Sequence, residues 1–160
     1  MAEYHAVCAA TDVPNGARRC IVLPTGRTVL LVHHAHVLYC IDQACYHHGG
    51  PLLTGDIEEI GGKVAISCPW HNYKIALENG EGLYMGLDAA NMRGDPVLKS
   101  KGVKQRTHLV EVRGDGLIYV ADAMELATKA IASDEYAYKK QIIPTDVDES
   151  GLVKLHSRMS

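Results

Sequence analysis

Two short segments of the sequence pair cysteine with histidine at a spacing that suits metal binding. Cys45 and His47 are separated by one residue, and Cys68 and His71 by two. Thiolate sulfur and imidazole nitrogen are ligands that zinc and iron–sulfur clusters take in proteins. Each pair fits within one turn, so two neighbouring turns bring four ligands to one centre. The spacing therefore predicts a metal site.

Two kinds of centre fit this set of ligands. One is a single tetrahedral zinc ion, and the other is a [2Fe–2S] cluster with two cysteines on one iron and two histidines on the other. Residues 49–51 (GGP) and 69–70 (PW) predict tight turns with exposed N–H groups. Bridging sulfides accept hydrogen bonds from such groups, whereas zinc needs none and usually has C-x₂-C spacing. The cluster is favoured, and zinc remains the alternative.

The other cysteines have no histidine partner at ligand spacing. The chain has five cysteines, an odd number, and Cys8, Cys20 and Cys40 fall in strand-like segments. We expect these three to be buried as small apolar side chains. The sequence begins without a basic and apolar export signal, which predicts a cytoplasmic protein without a disulfide framework.

Short apolar runs bounded by turn residues predict β-strands around these ligands. The predicted strands are residues 4–9, 18–23, 27–33, 36–41, 57–60, 63–67, 74–77, 107–112 and 117–121. Turn residues between neighbouring runs predict three hairpins, around 34–35, 61–62 and 114–116. Residues 83–101 are predicted as a long surface loop and 125–132 as a short helix, with the polar remainder along the surface.

Composition and charge exclude several classes of protein. The chain has 160 residues, 47% of them hydrophobic, which suits one domain with a core. Its net charge of −3 provides no basic surface for nucleic acid or an anionic membrane. No apolar run reaches the roughly 20 residues that span a bilayer. We therefore expect a monomer that binds neither nucleic acid nor membrane.

Three stretches resemble a known family. Residues 45–52 (CYHHGGPL) and 67–83 (SCPWHNYKIALENGEGL) resemble the Rieske iron–sulfur motif. With residues 100–112 (SKGVKQRTHLVEV), they are most similar to the small soluble Rieske-type ferredoxins of animals. The resemblance implies an all-β fold over residues 1–122, an antiparallel sandwich or barrel base. Residues 1–44 and 82–122 would form the base, 45–81 a loop-rich cluster-binding insertion, and 123–160 a C-terminal extension.

The resemblance also implies a cofactor and a function. It implies one [2Fe–2S] cluster per chain, with Cys45 and Cys68 on the inner iron and His47 and His71 on the outer iron. Such a protein is not itself an enzyme: it carries single electrons from a reductase to an acceptor such as an oxygenase. The alternatives are a small component of an oxygenase or nitrite-reductase-like system and a zinc-stabilised binding module. A complete oxygenase needs a second iron domain, for which no room remains after residue 122.

The negative charge is unevenly placed along the sequence. Between Cys45 and Glu81 there are five acidic residues and two lysines, so this segment holds the whole net charge of −3. Opposite charge speeds the association of protein partners. We hypothesise that the segment docks on a basic patch of a redox partner.

Residues near the predicted ligands bear on the midpoint potential of the predicted cluster. High-potential respiratory relatives have extra cysteines where this chain has Gly50 and Trp70. They also have a serine hydroxyl where this chain has Tyr73, and a tyrosine hydroxyl where it has Ile75. Fewer hydrogen-bond donors stabilise the reduced state less. We expect a midpoint potential in the lower part of the Rieske range of about −150 to +300 mV. A redox titration giving a value above about +100 mV would contradict this prediction.

Overall fold

The computed structural model describes residues 2–138 and 152–154, and every sheet in this part of the chain is antiparallel. The strands are β1 Tyr4–Ala9, β2 Ala17–Val22, β3 Thr28–His34, β4 Val37–Asp42, β5 Asp56–Ile60, β6 Lys63–Ser67, β7 Lys74–Ala76, β8 Glu81–Gly86, β9 Val97–Val103, β10 Leu109–Val112, β11 Leu117–Ala121 and β12 Leu152–Lys154. The helical segments of this part are short 3₁₀ turns at Ala10–Asp12, Leu52–Thr54, Ala123–Leu126 and Ala132–Tyr136. The prediction of an all-β fold is confirmed.

The strands form three sheets, and the central one packs on both of its faces. The sheets are β1-β11-β10, β12-β2-β3-β4 and β5-β6-β7-β8-β9. Successive side chains of a strand point to opposite faces. On β3, Val29 and Leu31 pack in a core with Ile118 of β11, while Leu30 and Val32 pack in a second core with residues of β6 and β7. The four-stranded sheet therefore lies between the other two.

The predicted hairpins are confirmed, with glycine or a left-handed residue at the turns. Ala35 and His36 join β3 to β4 with φ values of 48° and 65°. Gly61 and Gly62 join β5 to β6 with φ values of 57° and 78°. Positive φ at both turn residues matches the twist of two paired strands. The β5–β6 hairpin separates the two predicted ligand pairs.

Two predicted elements are wrong. Residues 83–101 are not a loop, because β8 and β9 pair within them and only 87–96 connect the two strands. A strand with one packed face and one face in water has a mixed pattern of apolar and polar residues. Here Leu83 of β8 and Leu98 of β9 pack on Ala65 and Ala76. Residues 125–132 form no continuous helix. Side-chain contacts to the base hold the segment instead.

Those contacts centre on Asp42, a fully buried carboxylate at the end of β4. Its oxygens accept hydrogen bonds from Arg27 Nε at 2.7 Å and Nη2 at 2.6 Å, and from Ser133 Oγ at 2.5 Å. His108 Nε2 lies 2.8 Å from Asp42 Oδ1, and His108 Nδ1 accepts from the Ala123 amide. His108 therefore donates from Nε2. Burial alone would raise the pKa of Asp42, but these donors lower it.

Asp134 joins the C-terminal segment to the same network. Its carboxylate accepts from Arg27 Nη2 at 2.5 Å and makes a two-point ion pair with Arg106, at 2.7 Å for each bond. Ser133 and Ala137 are buried. Residues 131–137 are therefore packed against the base. Residues 139–151 and 155–160, part of the predicted surface-lying remainder, fall outside the described residues.

The predicted boundary between base and insertion stays a prediction. The sheet that begins at β5 continues through β8 and β9, so it extends beyond residue 82.

We predict that Asp42→Asn destabilises the protein by about 3 kcal/mol, because it breaks a buried ion pair and leaves Arg27 with less compensating charge. Urea unfolding measures the loss. The matched control is Glu111→Gln, which breaks an exposed pair with Arg113 (2.7 Å) and should cost less than about 1 kcal/mol. Equal, small losses in both variants would show that the buried network contributes little.

Candidate metal centre

Two loops, each built around one of the predicted cysteine ligands, lie against each other. In the first, the Cys45 amide donates to the Gly50 carbonyl and the Gly49 amide to the Cys45 carbonyl, both at 2.8 Å. Gly49 has a φ of 78°, which glycine adopts without strain. This loop follows β4 directly, so the end of a buried strand places Cys45.

The second loop connects β6 to β7 and repeats the same pattern. The Cys68 amide donates to the Tyr73 carbonyl at 2.9 Å, and the Asn72 amide donates to the Cys68 carbonyl at 2.8 Å. Asn72 has a φ of 57°, a conformation that asparagine tolerates better than most residues. In each loop the backbone bonds close a turn around a cysteine.

The thiols of Cys45 and Cys68 are buried side by side. Both belong to the core that also contains Leu52, Leu53 and Ile66. The hydrogen bond from Cys45, followed by the backbone amides of Trp70 and His71, lowers the pKa of Cys68 to about 6. The same bond and burial raise the pKa of Cys45. The two sulfurs are therefore within hydrogen-bond reach of each other.

The predicted histidine ligands lie together toward the surface. The ring centroids of His47 and His71 are 5.0 Å apart, and the rings are nearly perpendicular, at 83°. Tyr73 stacks on His47 with a centroid distance of 3.9 Å. Burial, then the neighbouring His48, His71 and Lys101, lower the pKa of His47. A neutral imidazole is the form that coordinates metals.

One nitrogen of this pair lacks a partner. His47 Nδ1 is buried and has no hydrogen bond within the described part of the chain. A buried polar atom without a partner is costly, and a bound group is one reason for it to persist. His48, the adjacent residue, is exposed as expected for a neighbour of the site.

The donors fit a two-iron cluster better than a single ion. Two sulfurs lie together in the core and two imidazoles lie together outside them. A single tetrahedral zinc needs four ligands around one point, whereas a [2Fe–2S] cluster takes two ligands at each iron. Cys45, His47, Cys68 and His71 could therefore hold such a cluster.

Cys8, Cys20 and Cys40 lie away from these loops. Cys40 is buried, and the other two are partly buried against the two cores. This agrees with the prediction that they are apolar packing residues.

Gln105 supports the first loop, a role that the sequence did not reveal. Its fully buried side chain donates from Nε2 to the carbonyls of Asp42 at 2.9 Å and Ala44 at 2.7 Å. Its Oε1 accepts from the Tyr46 amide at 2.9 Å. Gln105 thus binds the backbone on both sides of Cys45. No local pattern predicts this contact, because Gln105 is about 60 residues from the loop.

Two further supporting residues were missed by sequence reasoning. Buried Arg18 donates to the carbonyls of Leu53 at 3.0 Å and Gly55 at 2.5 Å, just after the first loop, and burial lowers its pKa to about 10. The Tyr136 hydroxyl donates to the His47 carbonyl at 3.3 Å. Its ring also lies against Gly49, where an added Cβ would come within 2.9 Å. The C-terminal segment thus contacts the first loop.

Comparison with known proteins agrees with this architecture. Residues 7–125 match the family of soluble Rieske-type ferredoxins, and the chain belongs to that family. A Rieske domain-containing protein of Homo sapiens is 42% identical over 120 residues, which cover 74% of this chain and 75% of the human protein. Members of the family bind a [2Fe–2S] cluster and serve in electron transport.

Solved structures confirm the fold. The ferredoxin of carbazole 1,9a-dioxygenase from Nocardioides aromaticivorans IC177 superposes with a TM-score of 0.53 at 19% identity, covering 74% of this chain and 96% of that one. A protein described as an NADH-dependent nitrite reductase small subunit from Mycobacterium tuberculosis gives 0.59 at 17% identity, covering 76% and 96%. At these identities the likeness concerns the fold alone.

Within residues 2–138 and 152–154, no helix is long and apolar enough for a bilayer crossing.

We predict that Gln105→Leu destabilises the protein by about 3 kcal/mol or more, since three buried backbone groups each lose a partner at about 1–3 kcal/mol. Iron retained per purified chain should fall with it. The matched control is Gln43→Leu, which also changes a fully buried glutamine. Among the described residues, the Gln43 side chain makes one hydrogen bond, accepting from the Leu53 amide at 3.1 Å. It should cost about 1 kcal/mol. Urea unfolding and iron analysis measure both effects, and equal losses would contradict a supporting role for Gln105.

Proposed function

We propose that the protein carries single electrons between redox proteins, using one [2Fe–2S] cluster held by Cys45, Cys68, His47 and His71. The observation that carries the proposal is the arrangement of the donors. The two sulfurs are paired in the core, the two imidazoles are paired toward solvent, and His47 Nδ1 has no other partner in the described residues. When bound, the cluster supplies a one-electron couple at about −150 to +300 mV.

The buried cysteines and the histidines nearer the surface would have different roles. Cys45 and Cys68 would hold the inner iron within a core that excludes water. Their two thiolate charges and two sulfides balance two ferric ions, so the oxidised site is neutral when the other ligands are neutral imidazoles. A neutral centre is less costly to bury than a charged one. This agrees with the lowered pKa of His47.

His71 provides the route to a partner. It is exposed, whereas Cys45 and Cys68 are buried. A partner that contacts His71 would lie one side chain away from the outer iron. Electron transfer through His71 would need no opening of the fold. The loops can therefore stay fixed by their buried hydrogen bonds during the transfer.

We propose an electron-donating reductase and an acceptor, such as an oxygenase, as the partners. The acceptor would perform the catalytic chemistry and this chain would supply electrons. The solved structure from Nocardioides aromaticivorans is named as a dioxygenase ferredoxin, and the one from Mycobacterium tuberculosis as a nitrite reductase subunit. Both names suit a small redox component. Monomeric state and cytoplasmic location stay predictions.

The decisive experiment is electron paramagnetic resonance of the purified, reduced protein. We expect a red-brown protein with two irons per chain and a spectrum whose average g-value is low, because histidine ligands make the two irons inequivalent. Cys45→Ser and Cys68→Ser should each abolish the signal and the bound iron.

The matched control is Cys8→Ser, which changes a cysteine outside the loops and should keep the spectrum. A colourless protein with one zinc per chain would overturn the proposal and favour a zinc-stabilised binding module. A signal that survives both loop substitutions would overturn the ligand assignment alone.

A further inference from the structure

A groove opens beside His71, between the second loop and the β8–β9 pair. Its volume is about 330 Å³, and its lining includes His71, Tyr73, Tyr84, Met85 and Lys101. The groove therefore touches the proposed electron exit directly. The carrier role accounts for His71 and leaves the other lining residues without a function.

The exposed part of this surface has the composition of a protein interface. Tyr84 and Met85 line the groove and have 40% and 49% of their surface exposed. Trp70 precedes His71 in the chain, outside the groove lining, and is 50% exposed. Tyrosine, tryptophan and methionine are enriched where proteins bind one another. Exposed residues of this kind next to a redox exit indicate a docking face.

The charge of the groove is positive. Its lining contains two lysines and no carboxylate. Lys74 is paired with Glu58. Lys101 is exposed, and its ammonium lies 4.2 Å from the ring centroid of Tyr73 and 5.8 Å from that of Tyr84. It forms no ion pair with the residues that the structure describes.

The position of Lys101 changes the hypothesis that the acidic segment from Cys45 to Glu81 docks on a basic patch of a partner. None of the five acidic residues between Cys45 and Glu81 lines the groove. Glu58 and Glu81 are paired with Lys74 and Lys63. The charge next to the histidines is therefore the ammonium of Lys101, opposite in sign to the segment as a whole.

We propose that this face docks an acidic surface of a redox partner, with a partner carboxylate opposite Lys101 beside His71. The inference rests on the proposed function and adds the charge of the partner to it. A carboxylate there would pair with the ammonium, while tyrosine and methionine side chains exclude water around the pair. A basic partner would meet Lys101 as a like charge and be disfavoured.

The test uses the full-length, cluster-loaded protein and two soluble haem proteins as electron acceptors. One is the basic cytochrome c, and the other is an acidic cytochrome b domain. The reduced protein is mixed with each acceptor in a stopped-flow instrument, and the second-order rate constant is measured at low and at high salt. Lys101→Glu should lower the ratio of the acidic to the basic rate constant roughly tenfold at low salt. High salt should reduce this effect, because it screens exposed charges.

The matched control is Arg113→Glu, the same change of charge just after β10. β10 belongs to the three-stranded sheet, and the four-stranded sheet separates it from β8 and β9, which line the groove. It should change the ratio less than twofold, since steering acts mainly near the contact. Using the ratio separates surface charge from redox potential, because a shift in potential moves both rates in the same direction.

The outcomes separate this inference from the proposed function. If Lys101→Glu leaves the ratio unchanged, or lowers it no more than Arg113→Glu does, the docking face is overturned while electron transfer stands. If the unsubstituted protein holds no redox-active cluster and reduces neither acceptor, the proposed function itself has failed.

Discussion

The structure depends on a buried carboxylate that is compensated on every side. Asp42 ends β4 and lies three residues before Cys45, and Arg27, His108 and Ser133 donate to it. An uncompensated charge at that depth would cost several kcal/mol, so the donors must be held in place together. The strand end, the first loop and the C-terminal segment therefore share one set of hydrogen bonds.

The hydrogen bonds around Asp42 are connected to the metal centre through the backbone of the first loop. Gln105 binds the carbonyls of Asp42 and Ala44 and the amide of Tyr46, and Tyr136 contacts His47. Cys45 is thus placed by groups that lie far apart in sequence. The second loop is placed more simply, since β6 and β7 are neighbours and the turn around Cys68 closes on itself. The two halves of the site have different sources of rigidity.

The comparison of prediction with structure follows this difference. The β5–β6 hairpin and the tight turns around the cysteines were predictable because their causes lie within a few residues, in the glycines and prolines of the turns themselves. β8 and β9 were missed because each has a mixed pattern of packed, exposed and glycine positions, and it is their pairing with neighbouring strands that defines them. The helix predicted at 125–132 was wrong because distant parts of the chain bind this segment: the Glu125 carboxylate accepts from the Glu3 amide, and the Lys129 carbonyl accepts from Arg106.

The sequence by itself determined the donor types, their spacing and the family, because a thiol or an imidazole is a metal ligand wherever the chain folds. It also identified the all-β class, since turn residues and apolar runs act locally. Only the tertiary structure decided what supports and surrounds the site. Gln105 and Asp42 gain their roles through contacts across many residues. The charge at the exit is that of Lys101, not the segment average, because electrostatic interactions depend on distance in space.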